Sequence, residues 1–154
     1  MFEVFKPQSI RFQSKTNKLG DYCSKLYVVA QAKTIKNSKP WDLEGRIKFS
    51  KIEDNSYYDW YQKGYNEFHE EHPDLKDKVT INSQSVMEDS IEQGLMYYVY
   101  VDDSLAGLIS AEREDFLGHS GMYFGEIFLT KEYKRKGFGQ ALQRKFISEF
   151  AIST

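Results

Sequence analysis

Between Tyr133 and Leu142 the chain reads YKRKGFGQAL, with three cations, Lys134, Arg135 and Lys136, beside two glycines one residue apart, Gly137 and Gly139. The residues after the turn have helical spacing. The first turn of a helix leaves backbone N–H groups without partners, and their aligned dipoles attract anions. Glycine removes side chains where an anion must approach those donors, and lysine and arginine surround it with full charges. A diphosphate fits that chemistry. The same residues also fit an ordinary turn beside a solvated basic face, and from the residues alone both readings stand. GFGQAL lacks the third glycine of the dinucleotide fingerprint, and there is no GKS or GKT ending to make it a P-loop.

The charge distribution sharpens the question. The 154-residue chain carries a net charge of −2, yet residues 131–145 hold Lys131, Lys134, Arg135, Lys136, Arg144 and Lys145 against Glu132 alone. That window is about +5, which leaves about −7 for the remainder. Such asymmetry points to a local anionic ligand rather than to a nucleic-acid duplex, whose binding face needs a broader positive footprint. Aromatic stacking residues are not interleaved with the basic run, so nucleic acid is not the expected partner.

The elements that must position this turn are read from periodicity. RIKFSKI, Arg46 to Ile52, alternates like a half-buried strand. Tyr58, Tyr61, Tyr65 and Phe68 then recur at helical spacing behind Asp54 and Ser56, describing a capped amphipathic helix that ends near Pro73. Ser85 and Glu88 form a capping-box pattern for a shorter helix with Met87 and Ile91 on one face, stopped by Gly94. LMYYVYV, LAGLISAE and GMYFGEIFLT are three β-rich runs parted by Asp102-Asp103-Ser104 and by a turn around LGHSG, which predicts an antiparallel meander. Phe138, Leu142, Phe146 and Phe150, with Ala141 and Ile147, then make one apolar helical stripe, so the basic turn joins a strand to a helix. Upstream, Tyr22, Leu26, Val29 and Lys33 follow helical spacing from Asp21 to about Lys36, with LYVVAQA open to a competing strand reading.

A chain of this length with 40% hydrophobic and 16% aromatic residues can bury a core without disulfide or metal. The single Cys23 has no internal partner, so a reducing compartment, the cytoplasm, is expected. No signal-peptide pattern and no apolar run of membrane-spanning length are present, and no membrane association is expected. The two histidines of HEEH, His69 and His72, are three residues apart rather than four, and no metal site is expected.

EIFLTKEYKRKGFGQAL resembles the acetyl-CoA motif of the GNAT superfamily of N-acetyltransferases, an R/QxxGxG/A pattern opening a helix. Lys134 stands at the R/Q position, and Gly137 and Gly139 at the two small positions. The order of strand, two helices and three antiparallel strands matches as well, so the resemblance runs from about Arg46 to the C-terminus. It implies an α/β fold, a mixed, mainly antiparallel twisted sheet flanked by helices. Residues 46–154 would form the acetyl-CoA-binding core and residues 1–45 an N-terminal extension, helical in part.

By resemblance, main-chain amides of the turn hold the pyrophosphate of acetyl-CoA, and the pantetheine arm pairs with the preceding strand at a bulge. Carried over by position, the cofactor contacts are Phe128 and Leu129 on the strand and Lys134, Arg135, Lys136, Gly137, Phe138, Gly139 and Gln140 at the turn. Lys134 replaces Arg or Gln, and Arg135 stands where many members have glycine. The acceptor would be the amine of a small molecule or protein, attacking the thioester directly within a ternary complex.

An amine nucleophile must lose a proton, because a lysine-like amine with a pKa of about 10.4 is mostly charged at neutral pH. On the motif strand Glu126 is the side chain best suited to take it, and the family often draws its general base from this strand. The plainer alternative is a carboxylate that reaches solvent or pairs with a lysine. Glu112, Glu114 and His119 are weaker candidates. Trp60, Tyr61 and Tyr65 lie in the helical region that borders the acceptor pocket in the family, and an aromatic stripe at this spacing also fits plain core packing.

The resemblance departs at its end. Family members continue past the motif helix with a strand, a helix and a hairpin, and a tyrosine there protonates the leaving sulfur; this sequence stops at Thr154. A truncated form, a wall supplied by a partner chain in a homodimer that completes the sheet, and a wall supplied by the N-terminal segment are the three readings. A CoA-binding module without transfer activity is the alternative function.

Overall fold

The computed structural model describes residues 8–15, 22–29, 31–116 and 118–151. The chain divides after Lys39 into two compact units.

In the first, strands β1 (Gln8–Lys15) and β2 (Tyr22–Val29) pair antiparallel, from Gln8 opposite Val29 to Lys15 opposite Tyr22. A short helix, α1 (Ala32–Asn37), comes next. The helix expected from Asp21 to Lys36 is therefore corrected: its first half is a strand. The LYVV segment is β-branched and aromatic, and cross-strand pairing overrides the accidental helical spacing of Tyr22, Leu26 and Val29. Asp21, its expected cap, lies outside the described residues.

The second unit is a four-stranded sheet in the order β3-β4-β5-β6, antiparallel at every pairing. Its strands are β3 (Ile47–Lys51), β4 (Met96–Val101), β5 (Ser104–Phe116) and β6 (His119–Leu129). Helices α2 (Tyr58–Glu71) and α3 (Gln84–Glu92) lie between β3 and β4 in the chain, and α4 (Phe138–Phe150) comes after β6. Asp102 and Asp103 both adopt positive φ, 49° and 65°, which makes the tight β4–β5 hairpin turn that matches strand twist.

Alternation along the strands divides the core into two layers. Tyr57, Tyr61, Tyr65 and Met87 cover one face of the sheet against Met96, Leu108 and Phe128. Phe138, Ala141, Leu142 and Phe146 of α4 cover the other against Val99, Ile109 and Ala111. The sheet is thus sandwiched between α2/α3 and α4, and β6 has one face on each layer. Two polar devices fix the helices. Ser83, not Ser85, caps α3 by accepting from the Val86 N–H, so the cap lies two residues before the expected one, and with valine at the third helical position it is a single cap rather than the expected box. Arg144 of α4 forms a buried ion pair with Glu44 at 2.8 Å, and the Lys145 ammonium donates to the carbonyls of Glu44 and Ile47. Among the described residues no helix is long and apolar enough to cross a membrane.

Candidate functional site

The site begins at a fault in β6. Ser110 pairs with Glu126 while Ala111 pairs with Phe124, so Gly125 is an extra residue in the ladder. A bulge reverses the side-chain alternation across it. Strict alternation along β6 would put Glu126 on one face with both Phe124 and Phe128, and the bulge breaks that pattern. Glu126 and Phe128 face α2, whereas Phe124 faces α4, 5.9 Å from the ring of Phe146.

On the α2 side the carboxylate meets a ring of donors. Tyr61 and Tyr65, one helical turn apart, both donate their hydroxyls to Oε2 of Glu126, the latter at 2.9 Å. The side-chain amide of Asn82 donates to the same oxygen at 3.3 Å, and the Ile127 N–H donates to Oε1 at 3.1 Å. Burial first, and then the neighbouring Glu126 charge, push both phenols well above their ordinary range, so each holds its proton at neutral pH and acts as a donor. Tyr57, deeper in the same layer, is pushed up to about 12 by burial, and its hydroxyl has no hydrogen-bond partner.

Beside this cluster an open groove of about 370 Å³ runs between α2 and the end of β6. Tyr65, Phe68 and Val79 form one wall and Ile127, Phe128 and Leu129 the other, with Lys134 at its end. It adjoins a second, much smaller hollow that reaches Gly64, Glu71 and Lys131. Phe128 is the keystone of this region. Its ring stacks on Tyr65 at 5.6 Å and meets Trp60 and Tyr61 edge-on, both at 5.5 Å. The ring fits because Gly64 has no side chain: a Cβ there would stand 2.3 Å from its Cζ. Trp60 is half-buried between Phe128 and Tyr98, and Tyr61 is fully buried, so Tyr65 is the member of the predicted aromatic trio that lines the groove.

At the groove's far end lies the basic turn. A single 3-10 turn, Lys131–Tyr133, succeeds Thr130, and the backbone then swings through left-handed conformations at Arg135 (φ 60°) and Gly137 (φ 86°) into α4. Gly137 caps α4 with no side-chain acceptor, so the first-turn amides of the helix are left for another partner. Nothing lies within 4 Å of a Cβ built on Gly139, so the space above the turn is clear. Phe138 is 3% exposed and anchors the turn from below, whereas Lys136 and Gln140 face solvent.

The six cations of the basic window divide. Arg144 and Lys145 turn inward to the Glu44 region, Lys131 pairs with Glu71 at 3.4 Å, and the Lys134 ammonium sits 4.7 Å over the ring of Phe68. Arg135 and Lys136 stand exposed on the turn itself. A continuous basic helix face is thus absent from α4. Of the weaker candidates, Glu112 accepts from Ser90 and His119 is exposed at the β5–β6 turn.

Sequence reasoning missed four residues that shape this site: Gly64, Phe68, Asn82 and Gly125. A lone glycine in a strand pattern is a bulge signal, and Gly125 carried it. Gly64 sits inside the helix, where a glycine kept against helix propensity signals a packing constraint, and Phe68 was read only as part of the apolar stripe. Asn82, in an irregular segment, carried no signal.

The acetyltransferase (GNAT) family model matches residues 54–153, which includes α2, the meander, the turn and α4. Among curated proteins no match is found. Among solved structures, Arabidopsis thaliana Naa50, in complex with the bisubstrate analogue CoA-Ac-MVNAL, is similar at 18% identity and a TM-score of 0.43. The alignment covers 68% of this chain and 64% of that one.

Proposed function

We propose that this chain, which belongs to the acetyltransferase (GNAT) family, moves an acetyl group from acetyl-CoA to a primary amine by direct attack within a ternary complex. The observation that carries the reading is the continuity of one strand. β6 brings the Glu126 cluster, the groove wall at Ile127–Leu129 and, one turn later, the glycine cradle of α4 into a single line. A carboxylate that can take up a proton, an apolar channel and an anion-binding helix entrance in that order suit a long donor with a diphosphate at one end and a reactive thioester at the other.

Within that reading, first-turn amides of α4 and the exposed Arg135 and Lys136 hold the diphosphate, with Gly137, Gly139 and Gln140 giving close access. Phe138 positions the turn. Lys134 closes the end of the groove, and Phe128 and Leu129 flank the pantetheine arm. The bulge at Gly125 interrupts pairing beside these residues, and the acetyl-CoA supplies the activated carbonyl. Glu126 is the final proton acceptor, with Tyr61 and Asn82 holding its orientation and Tyr65 at the groove; Trp60 supports Phe128. The acceptor is an amine of a small molecule or protein.

The test is release of free CoA thiol from acetyl-CoA over a panel of amines, run beside calorimetry with acetyl-CoA alone. Thiol release that requires both amine and protein is expected. Acetyl-CoA binding without release for any amine would reduce the chain to a CoA-binding module, and absence of both would overturn the reading.

A further inference from the structure

We propose that Tyr65 is the residue that meets the acceptor amine, and that it relays the amine's proton to Glu126; this rests on the acetyl-transfer reading. Glu126 does not line the groove, whereas Tyr65 forms part of its wall. Both carboxylate oxygens are engaged: Tyr61, Tyr65 and Asn82 donate to Oε2, and the Ile127 N–H donates to Oε1. A carboxylate so occupied has little room for a direct bond from an incoming amine.

The Tyr65 hydroxyl is arranged differently. Its one hydrogen goes to Glu126 at 2.9 Å, and its oxygen, which the neighbouring Tyr61 hydroxyl also approaches, keeps a further lone pair able to accept. Tyr61 makes the same bond to the same oxygen, but it is fully buried, and its hydroxyl also lies 3.4 Å from the Asn82 N–H. Two tyrosines thus share one carboxylate, and one of them, Tyr65, opens on the groove.

In the step itself the amine, neutral after giving one proton to solvent on entering the groove, bonds through its nitrogen to the acetyl carbon, the carbon–sulfur bond breaks with its electron pair leaving on sulfur, and the nitrogen's acidity rises as its charge develops. The Tyr65 oxygen accepts that proton while its own hydrogen passes to Oε2 of Glu126. Tyr65 ends neutral and Glu126 ends as a carboxylic acid. Solvent or the departing thiolate then returns the acid to its charged form. The high proton affinity of the buried Tyr65 phenol suits it to a concerted handover, in which no free phenolate forms.

A pair of near-isosteric variants tests this. Tyr65→Phe and Tyr61→Phe each remove one donor to the same Glu126 oxygen, so a purely orienting role lowers kcat alike in both. The relay instead gives a loss of about 10²–10⁴-fold in Tyr65→Phe, a loss under about tenfold in Tyr61→Phe, and little further loss when Glu126→Gln is added to Tyr65→Phe. Acetyl-CoA affinity stays unchanged in both. A second readout needs no variant: the rate of the unaltered protein in mixed light and heavy water curves downward with deuterium fraction, as two protons in flight require. Equal losses in the two tyrosine variants, or a linear dependence in the unaltered protein, overturns the relay while leaving acetyl transfer intact. An unaltered protein that releases no thiol with any amine overturns both.

Discussion

Replacing Gly64 by alanine tests the packing that shapes the groove, because two effects of opposite sign meet there. Gly64 lies within α2, where alanine stabilises a helix by about 1 kcal/mol relative to glycine. The added methyl, however, would stand 2.3 Å from Cζ of Phe128 and about a van der Waals radius too close to the ring. That ring cannot simply swing aside, since Tyr65 stacks on one face and Trp60 and Tyr61 meet it edge-on. Overpacking of this kind costs about 1–3 kcal/mol, so Gly64→Ala should be net destabilising by up to about 2 kcal/mol. Urea unfolding followed by tryptophan fluorescence measures it. In a Phe128→Leu background the obstructing ring is gone, and the same substitution should become stabilising by about 1 kcal/mol. A stabilising effect of Gly64→Ala in the otherwise unaltered chain would show that Phe128 is free to move, and the groove wall built on that ring would be wrong.

The same geometry sets three further outcomes. Tyr57→Phe removes a buried hydroxyl that has no partner and should leave stability at pH 7 unchanged or raised by about 1 kcal/mol. Because burial raises the folded Tyr57 phenol to about 12, the unfolded chain, with its phenol near 10, loses its proton first; the unaltered protein should lose up to about 1.4 kcal/mol per pH unit from this group between about pH 10 and 12, a slope the variant lacks. Glu44→Gln removes the carboxylate charge from the buried pair with Arg144 and should cost about 1–3 kcal/mol in urea unfolding, more than removing an exposed pair such as Lys48 with Asp103. Gly139→Ala places its Cβ more than 4 Å from any atom outside its own stretch of helix and should change stability by less than about 0.5 kcal/mol, yet it narrows the approach to the turn and should weaken acetyl-CoA binding at least tenfold by calorimetry.

Much of this architecture was legible because strong periodicities coincide with burial. The Tyr58–Phe68 stripe, the three β runs and the Phe138–Phe150 stripe each became the expected element, since the residues that repeat are those that face a core layer. The motif turn was legible through Gly137, whose left-handed backbone requires such a residue. What escaped depends on pairing between distant segments. A single extra residue, Gly125, exchanges the faces of Phe124 and Glu126, and periodicity read through it assigns them the same side. The Tyr22–Val29 strand is fixed by its partner strand, not by its own pattern. The basic window looked like one face because charge counting cannot see Arg144 and Lys145 turning inward to the Glu44 segment, about a hundred residues earlier in sequence.

The central claim is that main-chain amides at the entrance to α4 hold the diphosphate of CoA. The most direct measurement is an amide-resolved NMR titration of the labelled protein with CoA. The account expects the largest shifts, downfield for groups that gain an anionic acceptor, at residues from Lys134 through Gln140, with smaller ones along Ile127–Leu129. Saturating CoA that leaves the Lys134–Gln140 resonances in place would contradict it.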